Sequence, residues 1–188
     1  KSLGNVRTVR ELLEQYSGET LRFALLSAHY RSPLNFSKEL LDNAQATLDG
    51  FYLALRNAGD TAAGASDAHL SPVFSALLDD LNTPAAIAEL HQLAKALNKA
   101  SENEKFAAKA ALLAGGAVLG ILSEDPVAWL SKSDPDGLTA EVIDQMLIDR
   151  AEAKATRDFS RADAIRDELN GAGIIIEDNA SGATWRRG

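Results

Sequence analysis

Apolar residues recur at helical spacing through most of this chain. Val9, Leu12, Leu13 and Tyr16 share one helical face between Val6 and Tyr16. Leu21, Ala24, Leu25 and Ala28 repeat the spacing behind Ser17, a residue type that caps a helix by accepting an orphan backbone N–H. His29 to Phe36 breaks the period, and Pro33 disfavours helix at Ser32, which predicts an ordered connector. Ser37 then caps a long helix whose stripe is Leu40, Leu41, Ala44, Leu48, Phe51, Tyr52 and Leu55. Gly59 to Ser71 carries no stripe and reads as a loop. Ser71-Pro72 and Thr83-Pro84 each place proline in a first helical turn behind a capping hydroxyl. Val73, Phe74, Leu77, Leu78 and Leu81 follow the first of these, and Ile87, Leu90, Leu93, Ala94 and Leu97 the second. A helix from about Asn103 to Leu122 is apolar and alanine-rich enough to be largely buried.

The pattern changes at Ser131 to Gly137, where SKSDPDG predicts a boundary. Thr139 caps a helix bearing Val142, Ile143, Met146 and Leu147. Ser160 and Asp163 form a capping-box-like pair before Ile165 and Leu169, and Gly171 and Gly173 end that helix. Ile174 to Ile176 reads as a strand, Asn179 to Gly182 as a turn, and Thr184 to Arg187 as a second strand. The expected fold is mainly α. An antiparallel helical bundle spans 6–130, a linker 131–138, and a small domain of two helices and a β-hairpin 139–188.

Composition narrows the chemistry. Hydrophobic residues make up 46% of the 188 and aromatics only 6%, which suits packed helices better than a sheet sandwich. The chain has no cysteine, which excludes disulfides and thiolate metal sites and fits a reducing, cytoplasmic setting. His29, His69 and His91 have no metal-ligand spacing, so no metal site is expected here. No apolar run is long enough to cross a bilayer, and no membrane partner is expected. The net charge of −8 argues against broad nucleic-acid binding while leaving room for a local basic site, such as Trp185-Arg186-Arg187.

Five separated strings, in order, resemble cysteinyl-tRNA synthetase, a class I aminoacyl-tRNA synthetase. KSLGN at Lys1–Asn5 is similar to the end of the KMSKS signature, and SAHYRSPLNFS at Ser27–Ser37 to the segment after the catalytic domain. LDDLNTP at Leu78–Pro84, RDFSRADAIRDEL at Arg157–Leu169 and the GI-x-x-ED…TWRR ending from Gly173 to Arg187 complete the set. The resemblance implies an ATP-dependent enzyme that joins cysteine to its tRNA through cysteinyl-adenylate. It also implies that residues 1–5 are the remnant of the KMSKS loop. The nucleotide-binding fold, its magnesium–ATP and its zinc would then lie ahead of Lys1, and this stretch would be inactive by itself: its bundle, 6–130, would lean on the tRNA between acceptor and anticodon, and 139–188 would read the anticodon. The expected partners are cysteine tRNA and the catalytic domain of the same chain, in a monomer.

Site expectations follow from both sources. Lys1 would neutralise the leaving pyrophosphate and Ser2 would bond a phosphate oxygen, by resemblance, although a terminus alone needs no fixed structure. Trp185 offers a face for an unpaired base, and Arg186 and Arg187 offer forked donors to phosphate or guanine. Residue types alone leave open a plain aromatic closing the hairpin, and the resemblance favours RNA. Asp163 and Asp178 match the family's anticodon-contacting acids, since a carboxylate accepts from guanine or cytosine edges. Their alternatives are a helix cap and a turn acid. Lys154 stands where the family often has arginine, which favours a phosphate contact. Phe159 stands where tryptophan also occurs, and suits a core position better than a stacking one.

Arg22, His29, Tyr30, Arg31 and Asn35 read as buried polar packing around the connector, and Asp79-Asp80 as a turn rather than a cation site. Two rival functions fit parts of the pattern. One is a related ligase that joins cysteine to a small amino sugar, against which the TWRR tail and hairpin argue. The other is a helical protein-interaction module with an acidic surface.

Overall fold

A computed structural model describes residues 8–59, 67–131, 138–179 and 182–187. It is mainly helical with one small hairpin, as the periodicity predicts, and divides into two compact units, Lys1–Pro126 and Val127–Gly188.

The first unit is built on α3 (Lys38–Asn57), capped by Ser37, whose hydroxyl accepts from Leu40 N–H at 3.2 Å. Its predicted stripe is buried from Leu41 through Leu48, Phe51 and Tyr52 to Leu55. Ahead of it lie α1 (Val9–Leu13) and α2 (Gly18–Leu26), behind it α4 (Pro72–Leu77), α5 (Thr83–Lys99) and α6 (Glu102–Leu119). Ser17 and Ser71 cap α2 and α4 as expected. Asn82 rather than Thr83 caps α5, because its side-chain carbonyl reaches Ala85 N–H while Thr83 is already helical. Packing is less complete than the stripes suggest. Val9, Leu13 and Leu25 are exposed on the first two helices, and Phe106 is exposed on α6.

Backbone approach sets how α6 packs. A Cβ on Gly115 would stand 2.9 Å from Val73 Cγ2 and 3.1 Å from Leu90 Cδ2. One residue on, a Cβ on Gly116 would meet Leu122 Cδ1 at 2.9 Å and the Ile121 carbonyl oxygen at 3.0 Å. The chain folds back onto α6 there because Gly120 ends the helix in the left-handed region, at φ 67°. The returning segment is tied down by polar groups. Tyr52, fully buried, donates its hydroxyl to Glu19 Oε2 at 2.7 Å and accepts from Glu124 N–H at 3.2 Å. Burial and the Glu19 carboxylate push the phenol pKa well up, so it stays a donor.

The α4–α5 turn is the other strained point. Asp80 and Leu81 both adopt left-handed backbone, at φ 51° and 53°, without being glycine. The connector holds them there. Tyr30 donates to Asp80 Oδ1 at 2.7 Å, Arg31 pairs with the same carboxylate at 3.2 Å, and His29 Nε2 sits 3.0 Å from the Asp80 carbonyl oxygen. The turn reading of Asp79-Asp80 is therefore right, but the connector is not buried: Tyr30 and Arg31 are largely exposed around an exposed acid.

In the second unit, α7 (Pro126–Leu130) occupies a stretch where the sequence pattern predicts no helix. Of the predicted linker, 132–137 lie outside the described residues, as does most of the Gly59–Ser71 loop, which ends in a 3-10 turn at Ala68–Leu70. Helix α8 (Ala140–Ala155) starts at Thr139, and α9 (Phe159–Gly171) is followed by β1 (Ile174–Asn179) and β2 (Gly182–Arg187). Ser160 and Asp163 do not cap α9. Asp158 does, accepting from Arg161 N–H at 3.1 Å, because Arg157 at φ 61° turns the chain so that the helix starts two residues earlier than the capping-box spacing implies.

These contacts separate two glycines in the first unit. Gly115→Ala is expected to destabilise it by about 1–3 kcal/mol through overpacking. Gly50→Ala, in the middle of α3 with nothing within 4 Å of its Cβ position, is expected to stabilise it by about 0.4–1 kcal/mol. Denaturant midpoints of the two variants measure both signs.

Candidate nucleic-acid interface

The hairpin register assigns each candidate to a face. Ile174 pairs with Arg187, Ile176 with Trp185 and Asp178 with Ala183, so these six share the side turned toward the helices. Ile175, Glu177, Thr184 and Arg186 occupy the outer side. The core on the inner side is small: Ile143 and Leu147 of α8, Leu169 of α9, Ile174 and Trp185.

Trp185 is thus a core residue. It is 9% exposed, and its indole N–H donates to Asp144 Oδ1 of α8 at 2.7 Å. The physical reason is the alternation of the strand, which turns Trp185 inward opposite Ile176. Arg187 turns inward with it, donating to the Leu138 carbonyl oxygen, with its guanidinium carbon 6.0 Å from the indole centroid. Arg186 faces out and donates to Glu177 Oε1 at 3.0 Å.

Phe159 reverses its expected place in the opposite sense. It is 62% exposed at the first position of α9 and contributes nothing to the core. Lys154 and Arg157, before it, and Arg161, after it, outnumber Asp158 at the α8–α9 turn, although Lys154 pairs with Asp178 at 3.3 Å and Arg161 with Asp149 at 3.8 Å. Asp163, also exposed, pairs with Arg166 one turn along α9 at 3.2 Å.

Asp178 and Lys154 are brought together by a residue that the sequence motifs pass over, Arg150. Its guanidinium, only 9% exposed, grips Asp178 with two parallel bonds, Nη1 to Oδ1 at 2.9 Å and Nη2 to Oδ2 at 3.0 Å. Lys154 Nζ adds a third contact at 3.3 Å. Arg150 was legible in principle as a charge on the α8 stripe, three residues after Leu147 and four before Lys154. The paired cations hold the Asp178 carboxyl down to about 2, chiefly through the Arg150 hydrogen bonds. Arg150 rises correspondingly, for the same reason. Lys1 and Ser2 lie outside the described residues.

Three family models match this helical body, helix pair and hairpin, and they point to the class I aminoacyl-tRNA synthetases. Residues 136–186 match the model of the cysteinyl-tRNA ligase anticodon binding domain. Residues 73–123 match the DALR domain, and 1–46 match the tRNA synthetases class I (C) catalytic domain. The cysteine–tRNA ligase of Saccharophagus degradans is 52% identical over 189 residues, covering 100% of this chain and 41% of its own length. The Rhodospirillum rubrum enzyme of that name is 48% identical over 191 residues, covering 100% of this chain and 41% of its own length. Over its whole length the chain is similar to cysteine–tRNA ligases, and it spans about two fifths of the length of the curated relatives it matches.

Two measurements test the geometry of the small unit. Asp178 titrates near its ordinary 3.8 when unfolded and near 2 when folded, so the pairing stabilises the fold above about pH 4 and is lost as pH falls toward 2. Thermal melts from pH 5 to pH 2 are expected to show that acid-side loss in the native chain, and Asp178→Asn to lack its share of it. Trp185→Ala is expected to cost about 3–5 kcal/mol and to unfold the second unit, seen as collapse of its NMR dispersion.

Proposed function

We propose that this chain is the tRNA-holding portion of an ATP-dependent cysteine–tRNA ligase, with 139–188 reading the anticodon and 6–130 forming the helical body beside it. Residues 131–138 would link them, and 1–5 would belong to the nucleotide loop, with Lys1 and Ser2 on ATP phosphates. The setting is the cytoplasm, the partner cysteine tRNA, and the enzyme a monomer. The observation that carries this reading is the match of 136–186 to an anticodon-binding domain, laid on a unit that displays Phe159 at the α8–α9 turn. The same match weighs against both the amino-sugar ligase and the general interaction module.

The roles follow from exposure and pairing. Phe159, not Trp185, presents an open ring on which an unpaired anticodon base stacks. Asp163 keeps acceptor capacity for a base edge beyond its contact with Arg166. Asp178 is already engaged by Arg150 and Lys154, so it positions Lys154 beside the turn and meets RNA only through its solvent side. Arg186 supplies an outer-face cation for phosphate, while Arg187 and Trp185 hold the hairpin on α8. Gripping the anticodon fixes where the distant acceptor end falls, which converts binding energy into orientation of the reacting groups. Among the described residues no three His, Asp or Glu side chains converge as a metal site would require.

Titration of cysteine tRNA against the chain tests this reading. Phe159→Ala is expected to weaken binding by a stacking-sized ~1–3 kcal/mol while the fold persists. An altered anticodon is expected to weaken the native chain and to leave Phe159→Ala little further to lose. Equal affinity for the native and altered transcripts would overturn the anticodon assignment.

A further inference from the structure

A groove of about 400 Å³ lies between α3 and α5, remote in sequence from the anticodon-reading candidates. Its floor is Phe51 and its α3 wall runs through Thr47 and Gly50. Its α5 wall carries His91, Lys95 and Lys99, spaced four residues apart and so roughly 6 Å apart along the helix axis. All three are exposed, and the His91 ring leans on Phe51 with centroids 4.9 Å apart. Asn98 adds a neutral amide donor. Among the described residues that line the groove none carries a carboxylate, although the chain as a whole has a net charge of −8. At Gly50 a Cβ would meet nothing within 4 Å, so the wall is open where a ligand would lie closest to α3.

We infer that this groove seats the sugar–phosphate backbone of the bound RNA. The inference rests on the tRNA-binding reading above and adds to it a second, sequence-blind contact on the first unit. The physical argument is charge complementarity. A ladder of two ammonium groups and an imidazole on an otherwise acidic chain meets a polymer whose negative charges also repeat at regular steps. Lysine suits this role as a point charge toward phosphate, with no demand for the bidentate geometry of a base edge. The groove therefore contributes affinity and register, while base choice stays with the α8–α9 turn.

The test uses the 188-residue chain and unmodified cysteine-tRNA transcripts, native and anticodon-altered, titrated at several salt concentrations. Lys95→Ala with Lys99→Ala is expected to lower affinity for both transcripts by the same factor. It should also reduce the slope of log affinity against log salt by about 1 for each phosphate that is no longer neutralised. Gly50→Glu, which places a carboxylate in the open wall, is expected to weaken binding several-fold, and Gly50→Gln much less. Circular dichroism melts of all variants establish that the helices persist. Wild-type affinity and slope in both charge variants, with Phe159→Ala still weakening binding, would overturn the groove and spare the anticodon reading. A lysine effect confined to the native anticodon would also overturn it. Absence of tRNA binding by the unaltered chain would overturn the underlying reading itself.

Discussion

A guanidinium buried to nine-tenths in a unit with a five-residue core imposes one condition on everything around it: a carboxylate must meet it in the right plane. Arg150 finds that partner in Asp178, across 28 residues of chain. The bidentate geometry fixes the end of β1 against the last turns of α8, and with it the face of the hairpin that is turned toward the helices. With that face set, Trp185 turns inward to Asp144 and Arg186 turns outward to Glu177. Lys154, one turn beyond Arg150, joins the same carboxylate beside the turn that leads to Phe159. Arg150 is buried while Asp178 is more than half exposed, and desolvation of the guanidinium opposes the attraction, so the pair is weak evidence for net stability. Its consequence here is positional.

The first unit is governed by close approach rather than by charge. Gly115 and Gly116 let α6 come within contact distance of Val73, Leu90 and the returning chain at Leu122, where any side chain would force a shift. That packing seats α5 on α6, the Tyr52–Glu19 bond ties α3 to α2, and α3 and α5 lie side by side. This matters for the proposed RNA groove, because charges held in a fixed row lose less freedom on binding than charges on a loop. The strained Asp80–Leu81 turn, pinned by Tyr30 and Arg31, fixes the entry to α5 from the opposite end.

Much of the fold was legible before any coordinates. Helical stripes on α3 and α5 and the serine caps of α2, α3 and α4 are short-range facts, since a cap and its N–H lie within three residues. The candidate site was read less well, and the errors share a cause. Trp185 and Phe159 stand opposite to their expected exposure because burial depends on which face of a strand or helix meets a neighbour, and residue type does not encode that. The capping-box spacing at Ser160 and Asp163 failed because a left-handed Arg157 ended the turn early. Tyr30 and Arg31 look like buried polar groups in a string, yet they serve an exposed turn about 50 residues away.

By itself the sequence determined the element types, the change of pattern near residue 131, the likeness to a tRNA ligase family and the set of residues near which RNA recognition would be sought. Each of these rests on local spacing or on ordered strings, which survive without a third dimension. Only the tertiary structure decided which of those residues remain available. Arg150 takes Asp178, the core takes Trp185, and the turn displays Phe159, because ion pairing and burial are contests among side chains far apart in the chain. The row of His91, Lys95 and Lys99 likewise becomes a groove only when Gly50 of α3 lies opposite it.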